Sequence, residues 1–129
     1  MIHQEAIICV DDERSILTAL QQQIMRAFSD QYTLEFAESG EEAMEIIQGF
    51  IADDIPIAAI ISDEMMPGMK GHELIEEVAK LTPKTPCILL TGYAQSEVMN
   101  HITGSNMAHC VTKPWDAVEL ISLVRESIR

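Results

Sequence analysis

Residues 57–71 read IAAIISDEMMPGMKG. The opening run, Ile57 to Ile61, is apolar without alternation, as expected of a strand covered by other structure on both faces. It breaks at Ser62-Asp63-Glu64, and Pro67-Gly68 then marks a turn. Beyond Gly71 the period changes, with Leu74, Val78 and Leu81 recurring at helical spacing. Strand, turn and helix so closely joined make one βα unit. A strand buried on both faces belongs in a parallel sheet, whose neighbours are joined by helical crossovers.

The same unit recurs to either side. Apolar runs at Ala6–Val10, Tyr32–Phe36, Cys87–Leu90 and Ala108–Thr112 join Ile57–Ser62 as five expected strands. Residues 88–90 are as uniformly apolar as 57–61, which places these two runs centrally; the outer runs are more mixed. Between the runs, Ile16, Leu17, Leu20, Ile24 and Phe28 keep helical spacing, as do Ala43, Ile46, Ile47 and Phe50, and, at the end, Ala117, Leu120, Ile121, Val124 and Ile128. Ser39-Gly-Glu-Glu42 is a capping-box signature, and Asp116 suits the N-cap of the last helix. A fourth helix around Gln95–Thr103 has only Val98, Met99 and Ile102 to anchor it, so it is expected to be the least firmly held. Strict βα alternation predicts an α/β fold, a doubly wound five-stranded parallel sheet flanked by helices.

Composition narrows the function. A chain of 129 residues, at roughly 100–200 residues per domain, is read as one domain spanning 1–129. Its 47% hydrophobic content suffices for one core, and 22% charged residues is too few for a disordered chain. Eight basic against 21 acidic residues give a net charge of −13, which repels phosphate backbones and anionic lipid and so argues against direct nucleic-acid or membrane binding. Cys9, Cys87 and Cys110 are odd in number and lie in apolar runs, as expected of reduced thiols in a cytoplasmic protein. No apolar stretch approaches the ~18 residues of a membrane span, and the first residues lack the pattern of a signal peptide.

In doubly wound sheets, ligands bind at the carboxyl ends of the strands. Directly after the first run stand Asp11, Asp12 and Glu13; after the third, Asp63; after the fourth, Thr91 and Gly92; after the fifth, Lys113 and Pro114. Alone, each has an ordinary explanation as a helix cap, a turn residue or an exposed lysine. Their joint placement on one edge does not. Three carboxylates there repel one another unless a hard cation sits among them, and an all-oxygen site suits magnesium with waters retained. A phosphoryl group meets the remaining need for a ligand, because metal and Lys113 neutralise its oxygens while Thr91 offers a hydrogen bond.

The motifs VDDE (10–13), SDEMMPGMKGHEL (62–74), LLTGY (89–93) and TKPWD (112–116) together resemble the receiver domain of bacterial two-component response regulators, from Ile7 to about Ile128. The resemblance implies a flavodoxin-like (βα)5 three-layer sandwich. It implies that Asp63 is the phosphoryl acceptor, that Asp12 and Asp63 ligate Mg2+ with the backbone carbonyl of Met65, and that Asp11 completes the cluster through a water. Thr91 becomes the switch hydroxyl, Lys113 the partner of the phosphoryl group, and Lys113-Pro114 a cis peptide. Pro67 and Gly68 match the family's turn after the acceptor. The implied partners are a sensor histidine kinase or phosphotransfer protein, and an output domain or effector. The implied activity is self-phosphorylation and self-dephosphorylation rather than enzymatic turnover of a separate substrate. The face formed by the fourth helix, fifth strand and fifth helix is expected to carry the signal, by homodimerisation or partner binding, with Val118 and Leu123 partly exposed on it. The KPWD form resembles receivers attached to HD-GYP-type phosphodiesterase modules.

Two departures stand out. Cys110 occupies the position, three before the lysine, where the family usually has Tyr or Phe as part of its switch. Tyr93 and Met65 are bulky at positions where the family tunes dephosphorylation, which points to a guarded phosphoryl group. A haloacid-dehalogenase-type phosphatase also uses a nucleophilic Asp after an apolar strand, but it wants a second Asp two positions on, where this chain has Met65. A phosphate-independent receiver normally lacks an acid or the lysine, and neither is missing. Elsewhere, His109 and Cys110 are adjacent on a strand and point to opposite faces. His3, His72 and His101 have no partners at ligand spacing and are left with surface or capping roles. Trp115, where the family usually has Phe, is expected to pack the fifth helix.

Overall fold

A computed structural model describes residues 5–92 and 108–128. The strands are β1 (Ala6–Val10), β2 (Thr33–Ala37), β3 (Ile57–Asp63), β4 (Cys87–Thr91) and β5 (Ala108–Thr112); the helices are α1 (Arg14–Phe28), α2 (Gly40–Ala52), α3 (Gly71–Leu81) and the C-terminal helix (Ala117–Ile128). The helix expected over 95–103 lies outside the described residues, as do His3, Tyr93 and His101. All strand pairs are parallel, in the order β2-β1-β3-β4-β5. Among the described residues no helix is long and apolar enough to cross a membrane.

The two-residue period of the strands divides the core into two layers. Ile8, Val10, Ile60 and Leu89 pack against α2 and α3 through Ala43, Ile47, Leu74, Ile75 and Val78. Ile7, Cys9, Ile61, Ile88 and Leu90 pack on the other face against α1 and the C-terminal helix, through Leu20, Ile24, Phe28, Leu120 and Val124. This is the expected three-layer arrangement. The helix caps also follow the sequence. Ser39 Oγ accepts the Glu42 N–H at 3.0 Å, and the Glu42 carboxylate accepts the Glu38 N–H at 2.6 Å. Asp116 Oδ1 accepts the N–H groups of Val118 and Glu119 at 2.8 and 3.2 Å.

Some expectations need correction. β1 is an interior strand with every residue buried, because the strand order reverses and sets it between β2 and β3; the mixed outer strands are β2 and β5. Tyr32 is not in β2. Its N–H donates to Phe28 O at 3.0 Å and its ring meets Phe28 edge-on, so it closes the turn after α1. β3 and β4 each run one residue further than the apolar pattern, so Asp63 and Thr91 are the last residues of their strands. Leu81 is 46% exposed at the end of α3, and Ile75 takes its place in the core.

One glycine is required by packing. A Cβ on Gly71 would fall inside contact distance of the Asp63 carbonyl oxygen and 2.6 Å from Leu89 Cδ2. Helix α3 therefore starts flush against the end of β3 because its first residue has no side chain. Gly71→Ala should destabilise the fold by about 1–3 kcal/mol through overpacking; urea denaturation would read this as a lower midpoint with an unchanged slope.

Candidate functional site

Because β1, β3, β4 and β5 are parallel, their carboxyl ends open on one edge. Asp11 follows β1, Asp63 ends β3, Thr91 ends β4 and Lys113 follows β5. One carboxylate oxygen from each of Asp11, Asp12 and Asp63 lies within 4.8 Å of the others. Asp11 and Asp63 are buried, while Asp12 is exposed, so the cluster is closed below and open to solvent above. Lys113 Nζ lies 2.7 Å from Asp63 Oδ1 and 3.4 Å from Asp11 Oδ2, and so supplies positive charge to two of the three acids. Its backbone N–H donates to Thr91 O at 2.9 Å, which ties the lysine to the end of β4. Thr91 is buried at that strand end, and the Lys113-Pro114 peptide is cis.

The electrostatics follow from this crowding. Burial pushes the Asp11 carboxyl above its ordinary value, and the Asp63 charge adds to the rise. The Glu13 N–H, which donates to Asp11 Oδ1 at 2.9 Å, and Lys113 pull the other way without cancelling it. For Lys113, burial disfavours the charge, but the hydrogen bond to Asp63 and the charges of Asp11 and Asp63 outweigh it and raise its pKa. Three carboxylates with an exposed opening and one ammonium form an all-oxygen donor set with excess negative charge. Such a set suits a hard divalent cation.

The loop after β3 carries Met65, which is 46% exposed, and then buried Met66. Before them stands a residue that sequence reasoning passed over. Glu64 is buried, its Oε2 lies 2.6 Å from His72 Nδ1, and its Oε1 accepts the His72 N–H at 2.7 Å. His72 takes neither expected role: its N–H is itself capped by Glu64, and its partly buried ring pairs with the same carboxylate. The available signal was Lys70, which stands at the N-cap of α3 and has no acceptor to offer, so an acceptor had to come from elsewhere.

The remaining candidates fall where their chemistry allows. His109 is exposed, whereas Cys110 packs on the α2 and α3 side of the sheet, where burial and then the Glu64 charge raise its pKa. Trp115 Nε1 donates to Gln23 Oε1 at 2.8 Å and its ring packs on the opposite side. Val118 is 75% exposed, and Leu123 rests partly buried on the core.

The chain is similar to known proteins in sequence and in fold. The family model for the response regulator receiver domain matches residues 7–125. The hydrogenase transcriptional regulatory protein HoxA of Cupriavidus necator is 27% identical over 97% of this chain and 24% of its own length. The C4-dicarboxylate transport transcriptional regulatory protein DctD of Rhizobium meliloti is 30% identical over 95% of this chain and 25% of its own. The chain thus spans about a quarter of these curated relatives. Among solved structures, the signal receiver domain of an HD domain-containing protein from Pseudomonas fluorescens superposes with a TM-score of 0.81 at 27% identity, covering 98% of this chain and 95% of that one. Sheet order, acidic edge and a family match across nearly the whole sequence agree, and this chain belongs to the response regulator receiver domains.

Proposed function

We propose that this receiver accepts a phosphoryl group on Asp63 from a sensor histidine kinase, a phosphotransfer protein or a small phosphodonor, with Mg2+ held at the acidic cluster. The observation that carries the reading is Lys113 Nζ bridging Asp63 and Asp11 inside a group of three convergent carboxylates. Asp12, Asp63 and the Met65 carbonyl would hold the cation, with Asp11 reaching it through a water. Bound there, the cation would neutralise phosphoryl oxygens as charge shifts during transfer.

The chain's own groups do the rest. An Asp63 carboxylate oxygen forms the bond to phosphorus as the donor's bond to phosphorus breaks, and the electron pair of that bond leaves with the donor. Lys113 then pairs with the phosphoryl oxygens through charge-assisted hydrogen bonds, and the Thr91 hydroxyl donates another. The chain so acts only on its own phosphorylation and dephosphorylation.

The new charge, roughly −1.5 to −2, appears at one edge of the sheet. It acts by shifting the population of an exposed face rather than by refolding. β5 ends directly before Lys113 and the C-terminal helix begins shortly after it, and exposed Val118 supports that face as the contact with an output partner or a second copy. The KPWD quartet and the likeness to a receiver from an HD domain-containing protein support an output of the HD class. Free thiols at Cys9, Cys87 and Cys110 support a cytoplasmic setting.

Acetyl phosphate with magnesium should place an acid-stable, base-labile phosphoryl group on the parent chain but not on Asp63→Asn, as read by intact-mass spectrometry; equal labelling of both would refute the assignment. Magnesium at about 100 times its dissociation constant should stabilise the fold by about 2.7 kcal/mol, a gain absent from Asp12→Ala in thermal melts. The raised Asp11 pKa sets a third expectation. The folded chain keeps the Asp11 proton to higher pH than the unfolded chain, so Asp11 costs stability as pH rises above its ordinary value of 3.8. Asp11→Asn should therefore melt higher than the parent at pH 7 without divalent cations, and the difference should shrink as pH falls below that value.

A further inference from the structure

Glu64 is fixed at four points. Its N–H donates to Leu90 O at 3.1 Å, continuing the ladder between β3 and β4, and its carbonyl accepts the Gly71 N–H at 3.0 Å. Its two carboxylate oxygens take the His72 N–H and face His72 Nδ1, at 2.7 and 2.6 Å. The first N–H groups of a helix have no partner within it. In α3 those of Gly71 and His72 are both satisfied by Glu64, from the far side of the loop, because the local N-cap is Lys70. A carboxylate at a helix N-terminus is also favoured by the helix dipole. The loop 65–70 is thereby closed at its neck by one residue, placed between Asp63 and Met65.

We propose that Glu64 and His72 form a clamp that positions this loop, and with it the Met65 carbonyl, for the chemistry at Asp63. Glu64 is a positioning residue: it acts by holding the peptide that follows the acceptor, and it touches no reacting group. The inference rests on the proposed acceptor reading, and it separates from that reading in the following experiment. In the parent, Glu64→Ala, Glu64→Gln and His72→Phe chains, amide hydrogen exchange of residues 64–72 would be followed beside the magnesium dependence of Asp63 labelling by acetyl phosphate.

Glu64→Ala should speed exchange in the loop while β1, β3 and β4 stay protected, and should raise the magnesium concentration for half-maximal labelling about tenfold. Glu64→Gln keeps an acceptor for the His72 N–H and should restore both readings toward the parent. His72→Phe keeps the backbone N–H bonded to Glu64 and removes the ring nitrogens, and should shift both readings in the same direction by less; it also decides the matter if Glu64→Ala does not fold. Parent-like loop exchange and magnesium dependence in the variants would overturn the clamp. So would a Glu64→Gln chain as impaired as Glu64→Ala with a fully protected loop, since that would assign the effect to charge beside Asp63. Hydrogen exchange needs no phosphoryl transfer, so it decides on the clamp even if the parent fails to label, a result that would instead refute the acceptor assignment.

Discussion

Lys113 holds together a part of the molecule that would otherwise repel itself. Asp11 and Asp63 are both buried at neighbouring strand ends, with Asp12 beside them, and the ammonium lies within reach of the two buried acids. Two buried carboxylates at this separation are tolerated only with a counter-charge. The ion arrives from a residue 102 positions away from Asp11, which is possible only because β5 runs parallel to β4 and delivers its end to the same edge. Burial, and then the charge of Asp63, still hold the Asp11 carboxyl above its ordinary value.

The sheet supplies the geometry that this balance requires. Its interior strands are buried on both faces, so each strand end is a rigid platform rather than the start of a mobile loop. Gly71 lets α3 begin against the carbonyl of Asp63, and Glu64 then ties the same helix start to the end of β3. The segment beside the acidic cluster is thus held by backbone packing on one side and by a buried carboxylate on the other. Cys110, in place of the family's usual aromatic residue, lies on the same side of the sheet as α3 and within the field of Glu64.

The sequence by itself determined the layering and the membership of the site. Uniform apolar runs at Ile57–Ile61 and Ile88–Leu90 marked strands covered on both faces, helical spacing elsewhere fixed the crossovers, and parallel connection then forced Asp11, Asp12, Asp63, Thr91 and Lys113 onto one edge. Such features are legible because they depend on periodicity and chain direction, which are local. What only the tertiary structure decided depends on partners distant in sequence. The burial of β1 comes from the reversal of strand order, the placement of Tyr32 from its contact with Phe28, and the exposure of Leu81 from where α3 ends relative to the core. The Glu64–His72 pair belongs to the same class, since a glutamate after a strand and a histidine at a helix start are each unremarkable until packing buries the glutamate and sets the partly buried histidine against it. Burial converts such residues from solvated side chains into obligatory hydrogen-bond partners, and burial is a property of the folded whole.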